Sequence, residues 1–519
     1  MTYELEDKPK LPTFLKKCSP QERVKHLDLL IRRLSIERSH YLSTINTENS
    51  YTRSLPTEVL MHIFKCAAPP IEFERPKLSK WDEDPYDNSS PWSGPQKYAR
   101  IRFVQKLAAV SALWHSAVYS TPELWTSVAI KLSPRKMEAK LSLLNIVFQN
   151  CGSLGVDLKL KFKHFPRYHH YDPVPKGLLH LLQTHTSRLK ALRLEDPPSG
   201  LCRQFEGRYT NLECLDVSWS PATAPIFSTI NAESAPALRK LSLKSVNNLV
   251  LQWSAITSLN LTEVSVDICA LILLNGWSPN LTEFFCRSPA PPHRHMPDLT
   301  IPVKPSFPQM RDFGWQCLSD YTPWNNLIFQ NVQLPSLRTL YWPGGRPDQE
   351  APFNYPSFFG HFSSTLTRLY LEKPSAMEEI LFCLFGQEVN PSTLIVEDCD
   401  HNSLKAIWQL LDPEHRTVGE HRQMLLPKLQ EVLLVYTPGY ERPSTLTNGV
   451  SSAMLNMLVN RRNKCPEKEL RVNAVNHVGF PWDGDSAERM YDLVRSGFPL
   501  EIYEFGELHP TCDPSSHES

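Results

Sequence analysis

Ten times between residues 187 and 436 the chain returns to one short phrase, L-x-x-L-x-L or a near variant, set behind a loop. It reads SRLKALRLED at 187–196, TNLECLDVSW at 210–219, PALRKLSLKS at 236–245 and SAITSLNLTE at 254–263. It continues as PNLTEFFCRS at 279–288, PQMRDFGWQC at 308–317, PSLRTLYWPG at 335–344 and STLTRLYLEK at 364–373. PSTLIVED at 391–398 and PKLQEVLLVY at 427–436 follow less regularly. The first eight leading positions are 189, 212, 238, 256, 281, 310, 337 and 366, so successive steps are 23, 26, 18, 25, 29, 27 and 29 residues. A strand has period two, so the second and third leucines of a phrase point to one side and the residue between them to the other. One repeat cannot bury that apolar edge alone. Only stacked neighbours make a continuous core, which restricts the chain to a solenoid.

Segments between the phrases, such as WNNLIFQN (324–331), PSFFGHF (356–362), AMEEILFCLF (376–385) and SLKAIWQLL (403–411), are read as return legs, mostly helical. Six prolines, at 236, 279, 308, 335, 391 and 427, sit just before the expected strands and account for part of a total of 45. The end, SAERMYDLVRSGFPLEIYEF, reads as a helix, a Gly497 cap and a last strand. Residues 507–519 read as a disordered tail.

Upstream of the repeats the pattern changes. TSVAIKL (126–132), a helix over 133–152 and VDLKLKF (156–162) form a strand, crossover helix and strand, the unit of a parallel sheet. Residues 55–65 read LPTEVLMHIFK. Pro56 suits a helix start, where its missing N–H costs nothing, and Glu58 favours the positive end of the helix dipole. Val59, Leu60, Ile63 and Phe64 then recur at helical spacing. A second amphipathic helix, a Thr-Pro break and a Leu-Trp follow in VSALWHSAVYSTPELW, 110–125. Between the two lies IEFERPKLSKWDEDPYDNSSPWSGPQKYAR, whose Pro, Ser, Asp and Glu content is that of a surface loop at about 69–98. Trp81 and Trp92 within it either pin the loop to a neighbouring surface or bind a partner. Before all this, 1–20 reads as a flexible leader and 21–50 as an amphipathic helix. Val24, Leu27, Ile31, Leu34, Tyr41 and Ile45 step by threes and fours along it, with Arg38 interrupting the seam. That helix either packs back on the segment after it or pairs with a second copy through 21–48.

The 55 basic and 55 acidic side chains cancel, which argues against nucleic-acid binding by bulk charge. Twelve cysteines stand singly with no CxxC pair, the usage of a reduced cytoplasmic or nuclear protein. No apolar run reaches membrane-spanning length. There is no phosphate loop, HExxH or GxSxG, so no enzyme activity and no cofactor are expected. The histidine-rich HFPRYHHYD (164–172) and PPHRHMP (291–297) lack cysteine or carboxylate partners at ligand spacing, so no metal is assigned.

The LPTEVLMHIF stretch, the V-S-x-x-W-H-x-A-V with P-E-L-W stretch and the leucine-rich repeats together resemble the F-box proteins with irregular leucine-rich repeats that abound in fungi. The resemblance spans the whole chain. It implies an α/β fold: an all-helical F-box module at 51–128, then an irregular solenoid at 129–506 with a curved parallel sheet and outer helices. It further implies a substrate-recognition subunit of an SCF-type (cullin-RING) ubiquitin ligase, docking on the Skp-family adaptor and through it a cullin, with the repeats holding a protein substrate. Leu55, Pro56, Val59, Leu60 and Ile63 would divide between adaptor contact and the module's core. Phe64, Val110, Trp114, Ala117, Val118 and Trp125 would be core. The long insertion departs from the family's nearly continuous F-box. It keeps open a non-catalytic scaffold whose F-box-like region does not engage the ligase.

For the substrate, the residue between the last two leucines is expected on the open face of the sheet. That lane runs Arg193, Asp216, Ser242, Asn260, Phe285, Gly314, Tyr341 and Tyr370. The lane beyond it runs Glu195, Ser218, Lys244, Thr262, Arg287, Gln316, Pro343 and Glu372. Aromatic and arginine side chains anchor protein interfaces, which selects Phe285, Arg287, Tyr341 and Tyr370 as candidate substrate contacts. Covering loops or plain surface placement are the other accounts of these rings.

Overall fold

The computed structural model describes residues 19–49, 51–69, 99–163, 175–198, 208–219, 226–227, 233–249, 255–275, 279–292, 304–316, 322–343, 364–372, 391–414, 424–435, 449–466, 470–475, 484–496, 502–504 and 507–508, with single positions 201, 358 and 362. Residues 1–18 of the expected leader, 509–519 of the expected tail, the inserted loop from 70 with Trp81 and Trp92, all of 164–172, residues 293–297, the 376–385 leg and Gly497 lie outside these, whereas Glu507–Leu508, read as the start of a disordered tail, form a short strand. The chain divides into two compact units. One is helical and takes in the described residues up to Thr126 with Asn150–Gly152; the other takes in the rest.

The described residues of the helical unit form four α-helices: α1 (Pro20–Asn49), α2 (Thr57–Ala67), α3 (Ala99–Ala108) and α4 (Ala112–Tyr119). A 3-10 turn at Tyr51–Ser54 leads into α2 and another at Pro122–Trp125 closes the unit. The second unit carries α5 (Met137–Asn150), α6 (Lys176–Thr184), α7 (Val266–Leu274), α8 (Thr322–Asn331), α9 (His401–Leu411), α10 (Val450–Lys464) and α11 (Gly484–Arg495).

Its strands are β1 (Ser127–Leu132), β2 (Val156–Phe162), β3 (Leu189–Glu195), β4 (Cys214–Ser218), β5 (Ile226–Phe227), β6 (Lys240–Lys244), β7 (Asn247–Leu249), β8 (Ser258–Thr262) and β9 (Glu283–Arg287). They continue as β10 (Asp312–Trp315), β11 (Thr339–Pro343), β12 (Arg368–Glu372), β13 (Thr393–Glu397), β14 (Glu431–Val435), β15 (Arg471–Val475), β16 (Ile502–Glu504) and β17 (Glu507–Leu508). Apart from the small β5–β7 pair, the described strands join in one sheet in chain order, each parallel to the next except the final β16–β17 pair. Every one of the ten phrases read from the sequence supplies a strand, β3, β4, β6 and β8 to β14. The structure is therefore solenoid-like, one strand per turn. β15 adds a further turn after the ten phrases; its segment, RVNAV, carries Val472 and Ala474 at the positions where the phrases carry leucine.

The register follows the leucines. Leu192 pairs with Leu215, Leu215 with Leu241, Leu241 with Leu259 and Leu259 with Phe284. The lane runs on through Phe313, Leu340, Leu369, Leu394 and Val432, all buried. Return legs close this core. Leu144, Val147 and Phe148 of α5 and almost the whole of α7 are buried.

A backbone device ties the rungs together. The carbonyl just ahead of each strand accepts two N–H groups from the next turn: that of Glu213 takes Arg239 at 2.9 Å and Lys240 at 3.0 Å, and that of Arg239 takes Thr257 at 2.8 Å and Ser258 at 3.0 Å. The pattern repeats as far as Ser392, whose carbonyl takes Gln430 and Glu431. At the other strand end, Asp196, Ser245, Glu263, Ser288 and Asp398 hold φ between 43° and 56°. L-residues rarely adopt that region, and the cost is about 1 to 3 kcal/mol each. Four of these five point the N–H at the following strand. Asp196 donates to Ser218 at 2.7 Å, Ser245 to Thr262 at 2.8 Å, Glu263 to Arg287 at 3.0 Å and Asp398 to Val435 at 2.9 Å. The strain turns the chain out of the sheet while keeping one more hydrogen bond per rung.

Candidate functional site

In the helical unit, α2 carries apolar side chains on two faces. Leu60 and Phe64 are buried at 1% and 2% exposure, while Val59 and Ile63 are 43% and 44% exposed. Pro56, one turn before Val59, is also exposed, and Leu55 is half-buried. The Phe64 ring meets Trp114 at 4.8 Å, and the Trp114 indole N–H donates to Thr52 Oγ1 at 3.1 Å. Ser111 caps α4 by accepting from the Trp114 N–H at 3.2 Å. Ala117 and Val118 are fully buried, and the Val118 carbonyl accepts from the Trp125 indole at 3.0 Å. Lys65 of α2 pairs with Glu123, whose backbone carbonyl accepts from Arg100 at 2.9 Å. The Lys65 hydrogen bond holds the Glu123 carboxyl below its ordinary range.

Two expectations change here. Leu60, placed among the adaptor contacts, is a core residue, because it falls on the Phe64 side of α2 rather than the Val59 and Ile63 side. Val110, expected in the core, is 47% exposed. It precedes the Ser111 cap and so lies outside the helix whose apolar stripe it was assigned to. The exposed stripe left on α2 is Pro56, Val59 and Ile63.

On the sheet, the first lane read from the sequence is a continuous row; the lane beyond it holds from Glu195 to Arg287 and again from Pro343 to Glu372, and is interrupted at Gln316, which follows the end of β10. Arg193, Asp216, Ser242, Asn260, Phe285, Gly314, Tyr341 and Tyr370 are register partners in that order. The row extends backward to Lys159 and forward to Ile395 and Leu433. Its two halves differ in kind. Through β4 and β6 burial alternates along each strand, as in a sheet with one open face. From β8 to β13 the middle residues are buried on both faces.

In the early half the row is ionic. Glu195 accepts from Lys159 at 2.9 Å and Lys161 at 2.6 Å and lies 3.6 Å from Arg193, which also reaches Asp216 at 3.0 Å. Burial pushes the Glu195 carboxyl up, but the two lysine hydrogen bonds outweigh it and bring it down to about 2. Asp216 goes the other way: burial lifts it above the usual range despite Arg193 beside it. Beyond this, Lys163 and Lys161 hold Lys131 below its ordinary value.

In the later half Phe285, Tyr341, Tyr370 and Ile395 of the row pack into an apolar cluster with Val435 of the lane beyond it. Tyr341 and Tyr370 stack with centroids 4.4 Å apart, and Arg287 lies 5.0 Å over the Tyr341 ring. The Tyr341 hydroxyl donates to Glu372 and that of Tyr370 to Glu397. Burial, with these carboxylates, drives both phenols far above their ordinary range. Phe285, Tyr341 and Tyr370, expected as exposed anchors, are only 2%, 4% and 4% exposed. They spend their area on one another, because register stacks them edge to edge along the lane. Arg287 is half-buried against them.

Sequence reasoning missed a buried cation. Arg461 of α10 is 5% exposed and donates to the carbonyls of Leu411 at 3.2 Å, Leu425 at 2.8 Å and Leu426 at 2.6 Å. Burial depresses it to about 10. Leu426 itself sits at φ 46°, so the guanidinium pins a strained turn and the last carbonyl of α9 together. Nothing in VSSAMLNMLVNRRNK separates Arg461 from its half-buried neighbour Arg462 except helical phase.

Among the described residues no group of His, Cys, Asp and Glu comes together that could hold a metal ion, and no helix is long and apolar enough to cross a membrane. No protein-family model matches the chain, and no curated protein matches it at the sequence level.

Proposed function

We propose that this chain is a non-catalytic substrate receptor of an SCF-type ubiquitin ligase, its helical unit an F-box that docks on a Skp-family adaptor and its repeat unit, of leucine-rich-repeat type, the holder of a protein substrate. The observation that carries this reading is the double use of α2. Leu60 and Phe64 are spent on the unit's own core, while Val59 and Ile63 on the other face, with Pro56 a turn away, are left in water. Exposed apolar side chains held at fixed spacing on a rigid helix are what a partner needs for a stable, specific contact. The second support is the sheet. Its early rungs present half-exposed Lys159, Arg193, Asp216 and Ser242 on one face, and we assign substrate contact to that stretch rather than to the buried rings.

The test is co-purification of adaptor and cullin with the full chain, comparing wild type with V59D/I63D. Both positions are exposed, so the variant keeps the Trp125 and Phe64 packing, read by near-ultraviolet circular dichroism. Loss of adaptor with that signal intact supports the reading. Adaptor recovery equal to wild type refutes it, and a wild-type chain that brings down no adaptor leaves the scaffold as the function.

A further inference from the structure

Ten of the seventeen large hydrophobic side chains exposed among the described residues lie on α1. They include Val24 at 57%, Ile31 at 60%, Leu34 at 55%, Tyr41 at 69% and Ile45 at 52%. A helix that packed back on its own unit would hide one stripe; among its described side chains α1 hides none. We infer that α1 pairs with α1 of a second copy of this chain as a parallel, in-register two-stranded coiled coil. The inference stands whether or not the helical unit engages a ligase.

The heptad assigns the geometry. Val24, Ile31, Arg38 and Ile45 fall at a, and Leu27, Leu34 and Tyr41 at d. β-branched residues at a with leucine at d favour two parallel strands. The flanking positions agree with that choice. Arg23 at g faces Asp28 at e of the second copy, and none of the g-to-e pairs, Leu30 with Ser35 and Glu37 with Leu42 included, sets like charges opposite. Leu30 and Leu42 widen the apolar seam instead.

Arg38 settles orientation. In parallel register it lies beside Glu37 of the other copy, so the two arginines and two glutamates at that layer sum to zero charge. An antiparallel pair would set a against d and g against g, so Arg38 would lose the layer it shares with Glu37 of the other copy. Glu37 is available for this role: its one intrahelical ion pair, to Arg33, is 3.8 Å long and largely exposed. A single charged residue at a fixes register and oligomer state at a cost in stability. Three heptads with such a layer make a weak, reversible dimer.

Sedimentation velocity on the full chain over a concentration series tests this. Wild type is expected to shift from monomer to dimer with concentration. R38I should tighten the dimer by about tenfold, equal to about 1.4 kcal/mol. I31D/L34D should abolish it, with the near-ultraviolet signal unchanged because these side chains are already in water. E37R should weaken it, and E37R/R38E should recover it. A chain that stays monomeric throughout, R38I included, overturns the inference. So does a dimer that I31D/L34D leaves intact, or one that R38I weakens.

Discussion

Gly314 sits in the lane between Phe285 and Tyr341, and the packing there makes a quantitative prediction. A Cβ built on Gly314 would lie 2.6 Å from Phe285 Cδ1, 3.2 Å from its Cε1 and 3.2 Å from Tyr341 Cβ. Ordinary contact is about 3.5 to 4.0 Å, so in G314A the Phe285 ring must shift by about 1 Å. It has nowhere open to go, being 2% exposed and followed along the lane by stacked Tyr341 and Tyr370. Overpacking of this kind costs about 1 to 3 kcal/mol. Alanine in place of glycine returns about 0.4 to 1 kcal/mol by restricting the unfolded chain, since φ here is not in the left-handed region. The net loss is about 1 to 2 kcal/mol, which makes local opening about 5 to 30 times more frequent. Hydrogen exchange of the amides in β9 to β11 reads that directly, without assuming that so long a repeat array unfolds in one step. F285A removes the clashing atoms, so G314A added to F285A should cost nothing or restore protection by filling part of the void. If G314A exchanges no faster than wild type, or if its penalty is the same in the F285A background, the packing argument is wrong.

Two further substitutions probe the buried charges. R461M leaves three carbonyls unpaired and a strained turn unpinned, and should lose about 3 to 5 kcal/mol by urea unfolding followed through the α9–α10 amides, with R461K intermediate. Equal stability of R461M and wild type would remove Arg461 from the structural account. For Glu195 the sign follows from its depressed carboxyl. A group held at about 2 in the fold and near 4.5 unfolded stabilises above pH 4.5, and that contribution drains away as pH falls toward 2. E195Q should therefore be less stable than wild type at neutral pH, and the gap should close across that acid window in parallel thermal melts. A gap independent of pH would show that Glu195 acts through packing alone.

The ten phrases gave strand positions and register correctly because both rest on one local rule: residues two apart share a face of a strand. That rule needs no knowledge of neighbours, and so the lane from Arg193 to Tyr370 could be written down in advance. It tells which face a residue takes but not whether that face is open. Phe285, Tyr341 and Tyr370 were placed on the right face, but the pattern left open whether they were exposed anchors or covered, and they are buried. Their burial comes from each other, from Gly314 yielding space and from the Glu372 and Glu397 carboxylates, residues tens of positions apart. Helical phase likewise recognised the apolar residues of α2 but not their division into Leu60 inside and Val59 outside, which Trp114, about fifty residues on, decides. For α1 the spacing showed a seam but not whether it was covered.

By itself, then, the sequence determined the periodic order of this protein: strands, lanes, helix stripes and the α/β class that stacks them. Tertiary structure alone decided exposure, through the packing of the aromatic row, and the fate of individual charges such as Arg461 and Glu195. The reason is the range of the physics. Periodicity is set by backbone geometry within a few residues, whereas burial and the desolvation of a charge depend on every group that comes near, whatever its distance along the chain.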